Sequence, residues 1–127
     1  MADRAPRDPR ILRAVHAVNA ALAKRWTVHA LARVAGMSRA AFARAFVAEI
    51  GAPPLAFVTR ARMQRASTLL IRSDKKLAEV ANEVGYASEF ALSRAFRRTI
   101  GLPPSVFRRA AANDARTGSS TTVARAA

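Results

Sequence analysis

The sequence predicts an all-α fold of seven helices, and two observations support this prediction. First, apolar residues recur at helical spacing in seven segments, most of which open on a capping residue or a proline, whereas no segment alternates as a strand does. Second, residues 38–57 and 88–107 repeat one pattern fifty positions apart, with ten of the twenty aligned pairs identical. Two copies are too few for a solenoid, so the repeat indicates two copies of one helix–turn–helix unit.

The first unit should begin with two helices of different length. Asp8 offers an N-cap and Pro9 a first-turn residue for a helix that is expected to end near Lys24. Thr27 caps a shorter helix. That helix should stop at Gly36, because glycine readily adopts the left-handed conformation that ends many helices.

The third helix and its repeat carry the clearest pattern in the chain. Ser38 caps the third helix and Gly51 ends it. Its buried stripe recurs at four-residue spacing, at Phe42, Phe46 and Ile50. The repeat places Ser88 and Gly101 in the same positions around a helix expected over 89–100.

The remaining helices flank these two. The longest is expected over 54–72, after the proline pair 53–54, and it has no internal glycine. A short helix over 77–84 and a last helix over 104–112 belong to the second unit. Lys76 precedes the short helix but cannot cap it, and its positive charge is mismatched to the helix dipole.

These elements predict five segments along the chain. They are a disordered leader (1–7), a first helix-turn-helix subdomain (8–52), a linker helix (53–73), a second helix-turn-helix subdomain (74–112) and a disordered tail (113–127). Disorder is expected in the tail because it is rich in Thr and Ser and has no periodic apolar face.

The charge balance indicates a polyanionic partner, with nucleic acid as the first candidate. The sequence has 22 Lys and Arg against 8 Asp and Glu, a formal net charge of +14. It has no cysteine, and its two histidines lie far apart, so we expect no metal and no cofactor. We also expect no enzyme activity, since paired carboxylates, a nucleophile–base pair and a glycine-rich phosphate loop do not occur. No apolar run of membrane length and no signal peptide occurs, which predicts a cytoplasmic, nucleoid-associated protein.

The two Ser-capped helices should each expose a face opposite their buried stripe. In a helix-turn-helix the second helix lies in the major groove, and its early residues touch base edges. Arg44 and Arg94 share one register in the repeat, and arginine can bond guanine O6 and N7 together. We therefore interpret both as base readers, with a solvated surface arginine as the alternative. The other candidate base-reading residues are Ala40, Ala43, Glu89, Phe90 and Ser93.

Phosphate contacts are expected at helix N-termini, where free amides and the helix dipole favour anions. Three capping residues are candidates: Thr27, Ser38 and Ser88. Four basic residues should support them: Arg39, Arg60, Arg97 and Arg98. For each of these arginines the alternative is a solvated surface position without a ligand.

Over about residues 8–110 the chain resembles the DNA-binding domain of the AraC/XylS family of bacterial transcription regulators. The resemblance rests on Gly36-Met37-Ser38, Arg44-Ala45-Phe46, Val84-Gly85-Tyr86 and the paired Gly–Pro–aromatic endings of the two units. It implies two helix-turn-helix units joined by a long helix, which enter successive major grooves of double-stranded DNA. It also implies sequence-specific binding, transcription regulation with activation as the favoured outcome, and RNA polymerase as a partner.

Two features qualify this resemblance. The chain is most similar to the subfamily with an N-terminal cupin effector domain, and we expect that domain to be absent here. Relatives tend to have a small residue at position 90 and an aromatic one at 92, whereas this chain has Phe90 and Leu92. Phe90 could contact a thymine methyl, or it could have a structural role, by folding back against Tyr86 or by shifting the helix register, and the sequence favours neither role.

The two predicted reading faces differ in chemistry. The first offers mainly Ala40, Ala43 and Arg44, while the second adds Glu89 and Phe90. An asymmetric DNA site bound by a monomer is therefore expected. The alternative function is an architectural protein that binds DNA with little sequence preference, which the high charge and the sparse first face would suit.

Overall fold

Seven α-helices account for most of residues 6–117, which are the residues that this computed structural model describes. In chain order they are α1 (Pro9–Ala20), α2 (Val28–Ala35), α3 (Arg39–Ile50), α4 (Pro54–Arg72), α5 (Leu77–Val84), α6 (Glu89–Ile100) and α7 (Pro104–Thr117). No strand occurs between residues 6 and 117, so the all-α prediction is confirmed. The chain divides into two compact units, Met1–Ala61 and Arg62–Ala127.

The core of the first unit is apolar and is built around three aromatic rings. The ring centroid of Phe46 lies 5.5 Å from that of Phe42 and 5.5 Å from that of Phe57. The Phe46–Phe57 pair is edge-on, a geometry that aromatic rings prefer over a face-to-face stack. The buried residues of this core are Ile11, Ala14, Val18, Trp26, Leu31, Ala32, Ala35, Phe42, Phe46 and Val58.

The second unit repeats the same aromatic contact in a core of its own. Phe96 and Phe107 lie edge-on with ring centroids 5.3 Å apart. They occupy the repeat positions of Phe46 and Phe57, so the sequence repeat is also a repeat of core packing. The buried residues of this core are Met63, Ala66, Leu69, Leu70, Val80, Ala81, Val84, Leu92, Ala95, Phe96, Ile100 and Phe107.

The long helix α4 contributes to both cores instead of serving only as a linker. Val58, in its first half, belongs to the core of the first unit. Met63 and Ala66, further along, belong to the core of the second. α4 covers residues 54–72 of the linker helix expected over 53–73, and the boundary between the two compact units lies inside α4, after Ala61.

The helices α3 and α6 begin and end on equivalent residues. The hydroxyl oxygen of Ser38 accepts the N–H three residues later at 3.2 Å, and that of Ser88 does the same at 3.1 Å. Both helices end on a glycine with positive φ, 88° at Gly51 and 100° at Gly101. Side chains rarely adopt this left-handed conformation, which explains the glycine at both ends.

The start of α5 lacks a side-chain cap, as the sequence predicts. Lys76 occupies the N-cap position, and its ammonium group has no lone pair with which to accept a helix N–H. Glu79 partly compensates, since its carboxylate accepts the backbone N–H of Lys76 at 2.8 Å. The negative charge of Glu79 in the first turn also suits the helix dipole.

The helix α1 is shorter than predicted, and the expected end near Lys24 is wrong. It ends at Ala20, and the next residue, Ala21, leaves helical geometry with φ −143° and ψ 63°. The indole N–H of Trp26 donates to the carbonyl of Ala21 at 2.9 Å. Lys24 N–H bonds the same carbonyl at 3.1 Å in a tight turn, so that oxygen is no longer available to continue the helix.

Both predicted ends of the ordered region need correction. The helix α7 continues to Thr117, so the disordered tail expected from residue 113 is wrong over 113–117. Alanines favour the extra turn, and the Arg116 guanidinium donates to the Asn113 side chain at 2.6 Å. At the other end the Arg7 N–H donates to Glu49 at 2.6 Å, so the expected leader is wrong at that residue. The expected disorder of 1–5 and 118–127 falls outside the described residues.

Within residues 6–117, no single helix is long and apolar enough to cross a membrane. Taken together, α3 and α4 have the length and composition of a membrane span, but a 53° bend separates the two helices.

Candidate DNA interface

The helix α3 exposes the face that the sequence places opposite its buried stripe. Phe42 and Phe46 are fully buried, which fixes the rotation of the helix. The exposed residues on the opposite side, called here the α3 face, are Ala40, Arg44, Val47 and Ala48. Ala43, at the flank of this face, is half-buried. The α3 face is therefore small and apolar apart from one guanidinium group.

The helix α6 exposes a larger and more basic face. Leu92, Ala95 and Phe96 are buried, so the opposite side is available to a ligand. The exposed residues there, called here the α6 face, are Phe90, Arg94, Arg97 and Arg98. Glu89 and Ser93 lie beside it and are half-buried.

Arg44 and Arg94 have no partner among residues 6–117, and both are exposed. Other arginines are bound within the protein: Arg10 pairs with Asp8 at 2.8 Å, and Arg65 pairs with Glu83 at 2.9 Å. The guanidinium groups of the α3 face and the α6 face thus keep all five N–H donors for a ligand.

The predicted phosphate-binding positions are exposed at three helix N-termini. The hydroxyl oxygen of Thr27 accepts the Ala30 N–H at 3.0 Å, and Ser38 and Ser88 cap their helices in the same way. A hydroxyl that accepts a helix N–H still has its own hydrogen to donate to a phosphate oxygen. The supporting arginines Arg39, Arg60, Arg97 and Arg98 are all exposed.

Comparison with known proteins identifies the family. A family described as "Helix-turn-helix domain" matches residues 31–110. A Streptomyces lividans protein named as an AraC-like transcription regulator is 40% identical over 102 residues, which cover 80% of this chain and 34% of that protein. The crystallised DNA-binding domain of AdpA, in complex with a target DNA, superposes with a TM-score of 0.76 at 36% identity, covering 84% of this chain and 95% of that one.

The chain belongs to the AraC-type helix-turn-helix family. This is a family of DNA-binding domains and not of enzymes, and the chain is accordingly a sequence-specific DNA-binding domain of a transcription regulator. A further relative, the Escherichia coli "RCS-specific HTH-type transcriptional activator RclR", is 42% identical over 83 residues, 65% of this chain and 29% of that protein. The chain spans about a third of the length of the curated relatives it matches.

Two arginines of this AraC-type domain have structural roles that the sequence did not predict. Arg13 donates to the carbonyls of Val34 and Ala35 at the C-terminal end of α2, at 3.4 and 3.2 Å. Arg108 donates to the carbonyl of Leu70 at 3.0 Å and to that of Ser73 at 3.2 Å, at the end of α4. Each arginine satisfies carbonyls that a helix end leaves without partners. No sequence signal separates these residues from the arginines of the DNA interface.

Two carboxylates of the domain, those of Asp8 and Glu83, are engaged by basic side chains of the protein itself. Glu83 bonds Arg65 and lies 3.7 Å from the Lys75 ammonium. A hydrogen bond from the Arg10 side chain lowers the pKa of Asp8 from its ordinary 3.8 to about 2. Within residues 6–117, no group of three or more acidic or histidine side chains could hold a metal ion.

Phe90 points into solvent, which decides between the two orientations that the sequence allowed. Its side chain is 70% exposed, whereas Leu92 is completely buried in the core. Tyr86, the alternative partner for Phe90, instead faces Arg62, whose guanidinium carbon lies 5.6 Å from the ring centroid. Leu92 therefore fills the core at this point of α6, and the ring of Phe90 lies on the α6 face.

Proposed function

We propose that this domain recognises an asymmetric DNA site with α3 and α6 as its two recognition helices, and that it acts by docking and without chemistry of its own. The observation that supports this most directly is the equivalence of Arg44 and Arg94. Both are exposed, both lack a partner within residues 6–117, and both lie opposite the buried stripe of a Ser-capped helix.

Base reading is assigned first to these two arginines. A free guanidinium can donate two hydrogen bonds to O6 and N7 of one guanine, a pattern that no other base pair offers in the major groove. Ala40 and Ala43 add only close apolar contact beside Arg44, since neither side chain can form a hydrogen bond. Glu89 and Ser93 can bond base edges beside Arg94, because a carboxylate accepts from cytosine N4 and a hydroxyl both donates and accepts.

This difference between the faces predicts that α6 contributes most of the sequence preference. The α3 face should discriminate mainly at the guanine that Arg44 contacts. The α6 face should discriminate over several base pairs, because Phe90, Arg94 and the flanking Glu89 differ in chemistry. Because the two faces differ, we propose that one monomer binds two unlike half-sites.

Phosphate contacts should fix the position of each helix on the duplex. Thr27, Ser38 and Ser88 present a hydroxyl and first-turn amides at a positive helix end, and phosphate binding there follows from the dipole. Arg39, Arg60, Arg97 and Arg98 add charge that no carboxylate among residues 6–117 neutralises. These contacts carry affinity for any sequence.

We also propose that the protein activates transcription with RNA polymerase as a partner, in the cytoplasm at the nucleoid. Support comes from the Escherichia coli relative named as a transcriptional activator. A promoter reporter with the selected site upstream would test the direction of regulation: an increase in transcript supports activation, and a decrease contradicts it.

Selection of binding sites from a random DNA pool tests the proposed DNA recognition. We expect an asymmetric consensus with a guanine in each half, and a specific affinity at least a thousandfold above that for bulk DNA at the same salt concentration. A pool that shows no consensus, with equal affinity for all sequences, would instead support an architectural protein.

A further inference from the structure

We infer that Phe90 recognises the C5-methyl group of a pyrimidine in the major groove, which makes it a specificity-determining residue of the α6 face. The inference rests on the proposed function, since it assigns a base chemistry to one residue of that recognition helix. Thymine carries this methyl group in ordinary DNA, and 5-methylcytosine carries the same group in modified DNA.

Phe90 is an exposed apolar side chain close to polar residues. Phe90 is 70% exposed, the largest value among the large apolar side chains of residues 6–117, and Ser88, Glu89 and Ser93 surround it in sequence. A phenyl ring that is mostly in water contributes little to folding. Covering the ring with an apolar part of a ligand would lower the free energy of the complex.

Phe90 also lies at the start of α6. Phe90 is the second residue of α6, and the first turn of a recognition helix is the part that touches base edges. Arg94 is four residues later and lies on the same side of the helix, since both are opposite the buried Leu92 and Phe96. A ligand that contacts Arg94 therefore passes beside Phe90.

The chemistry of the major groove limits which base feature a phenyl ring can bind. The base edges of the major groove present hydrogen-bond donors and acceptors, and their apolar feature is the C5-methyl group of thymine. A phenyl ring cannot form hydrogen bonds with base edges, so this methyl group is the base feature that it can bind favourably. The ring would reject cytosine at that position, because cytosine lacks the methyl group.

The spacing of the two residues predicts where the pyrimidine lies. Four helical residues rise about 6 Å along the axis, and successive base pairs are about 3.4 Å apart. The methylated pyrimidine should therefore lie within about two base pairs of the guanine that Arg94 contacts.

Replacing thymine by deoxyuridine tests this directly, because only the methyl group is removed. Arg94→Ala should lose the preference for guanine in one half of the selected site, which identifies the half that α6 contacts. Each thymine of that half would be replaced in turn. At one position we expect binding of the unmodified protein to weaken by about fourfold, the factor associated with burying one methyl group. In Phe90→Ala the same substitution should have no effect.

Ile71→Ala is the matched control, because Ile71 is also exposed and apolar but lies on α4. This variant should keep the full deoxyuridine penalty. Circular dichroism should show native helix content for both variants, since neither side chain belongs to a core cluster.

Two further DNA sites distinguish the sources of the methyl group. The thymine would be replaced by cytosine and by 5-methylcytosine in otherwise identical duplexes. Tighter binding of 5-methylcytosine than of cytosine means that the α6 face recognises the methyl group on either base, and equal binding restricts recognition to thymine.

The inference is overturned if the deoxyuridine penalty is the same in the unmodified protein and in Phe90→Ala. It is also overturned if a consensus with both guanines exists but no thymine in the α6 half shows a penalty; the proposed base reading by arginine then stands. A selected pool without a consensus overturns both this inference and the proposed sequence-specific recognition.

Discussion

Phe96 and Phe107 lie edge-on in the core of the second unit, with ring centroids 5.3 Å apart. Phe46 and Phe57 form the same contact in the first unit at 5.5 Å. In each unit, one ring belongs to the recognition helix and the other follows the proline pair after it. The contact therefore helps to fix the buried side of α3 and of α6, opposite the faces that we propose bind DNA.

Truncating this ring should destabilise the protein. Phe96→Ala removes a completely buried side chain, and the loss of transfer free energy together with the cavity should cost about 3–5 kcal/mol. Phe90→Ala is the control, since it makes the same chemical change on the same helix at an exposed position. Thermal melting should show a large drop in Tm for the first variant and little change for the second. Equal Tm values for Phe96→Ala and the unmodified protein would show that the core assignment is wrong.

The N-cap of α1 should make stability depend on pH in the acid range. The pKa of Asp8 is about 2 in the folded protein against an ordinary 3.8, because Arg10 donates hydrogen bonds to its carboxylate. The carboxylate therefore stabilises the fold fully above about pH 4, and this contribution is lost as the pH falls towards 2. Asp8→Asn keeps an oxygen that can cap α1 but cannot ionise.

The difference in Tm between the unmodified protein and Asp8→Asn should therefore be largest near neutral pH and should disappear near pH 2. Melting curves at several pH values between 2 and 7 would measure it. A difference that stays constant over this range would mean that the ionised carboxylate does not contribute.

Salt dependence should separate arginines that bind DNA from arginines that bind the protein itself. Arg97 is exposed and lacks a partner within residues 6–117, so Arg97→Ala should leave Tm unchanged and reduce the slope of log affinity against log salt by about 0.9. Arg108 donates to Leu70 and Ser73, so Arg108→Ala should lower Tm and leave that slope unchanged. Affinity titrations at several salt concentrations decide the assignment. If Arg108→Ala instead reduced the slope and Arg97→Ala instead lowered Tm, Arg108 and not Arg97 would be the residue that contacts DNA.

The fold could be predicted largely from the sequence because its signals are local. Ser38 and Gly51, with the stripe between them, specify a helix and its rotation, and the second copy repeats them. The end of α1 could not be predicted, because Trp26 determines it by a bond to the Ala21 carbonyl across a turn. The last turn of α7 could not be predicted because it has no apolar face. Alanine and a single Arg116–Asn113 hydrogen bond extend the helix there.

The exposed faces of α3 and α6 could be predicted from the sequence, whereas the roles of some individual side chains could not. The exposed positions of Arg44 and Arg94 follow from the buried Phe46 and Phe96, because residues two positions apart lie on nearly opposite sides of a helix. The orientation of Phe90 did not follow, because either residue 90 or residue 92 could have filled the core. The role of Arg108 depends on a contact 38 residues away in sequence, and no local pattern encodes it.

We expect Arg44 and Arg94 each to read one guanine, and 7-deazaguanine tests this most directly because it lacks the N7 acceptor. On the selected site we predict that each Arg→Ala variant binds about 1–3 kcal/mol more weakly and becomes insensitive to 7-deazaguanine at one guanine, a different one for each variant. Arg44→Lys and Arg94→Lys keep the charge without the planar fork, and they should also lose most of the discrimination. Unchanged discrimination at every guanine in both alanine variants would contradict the account.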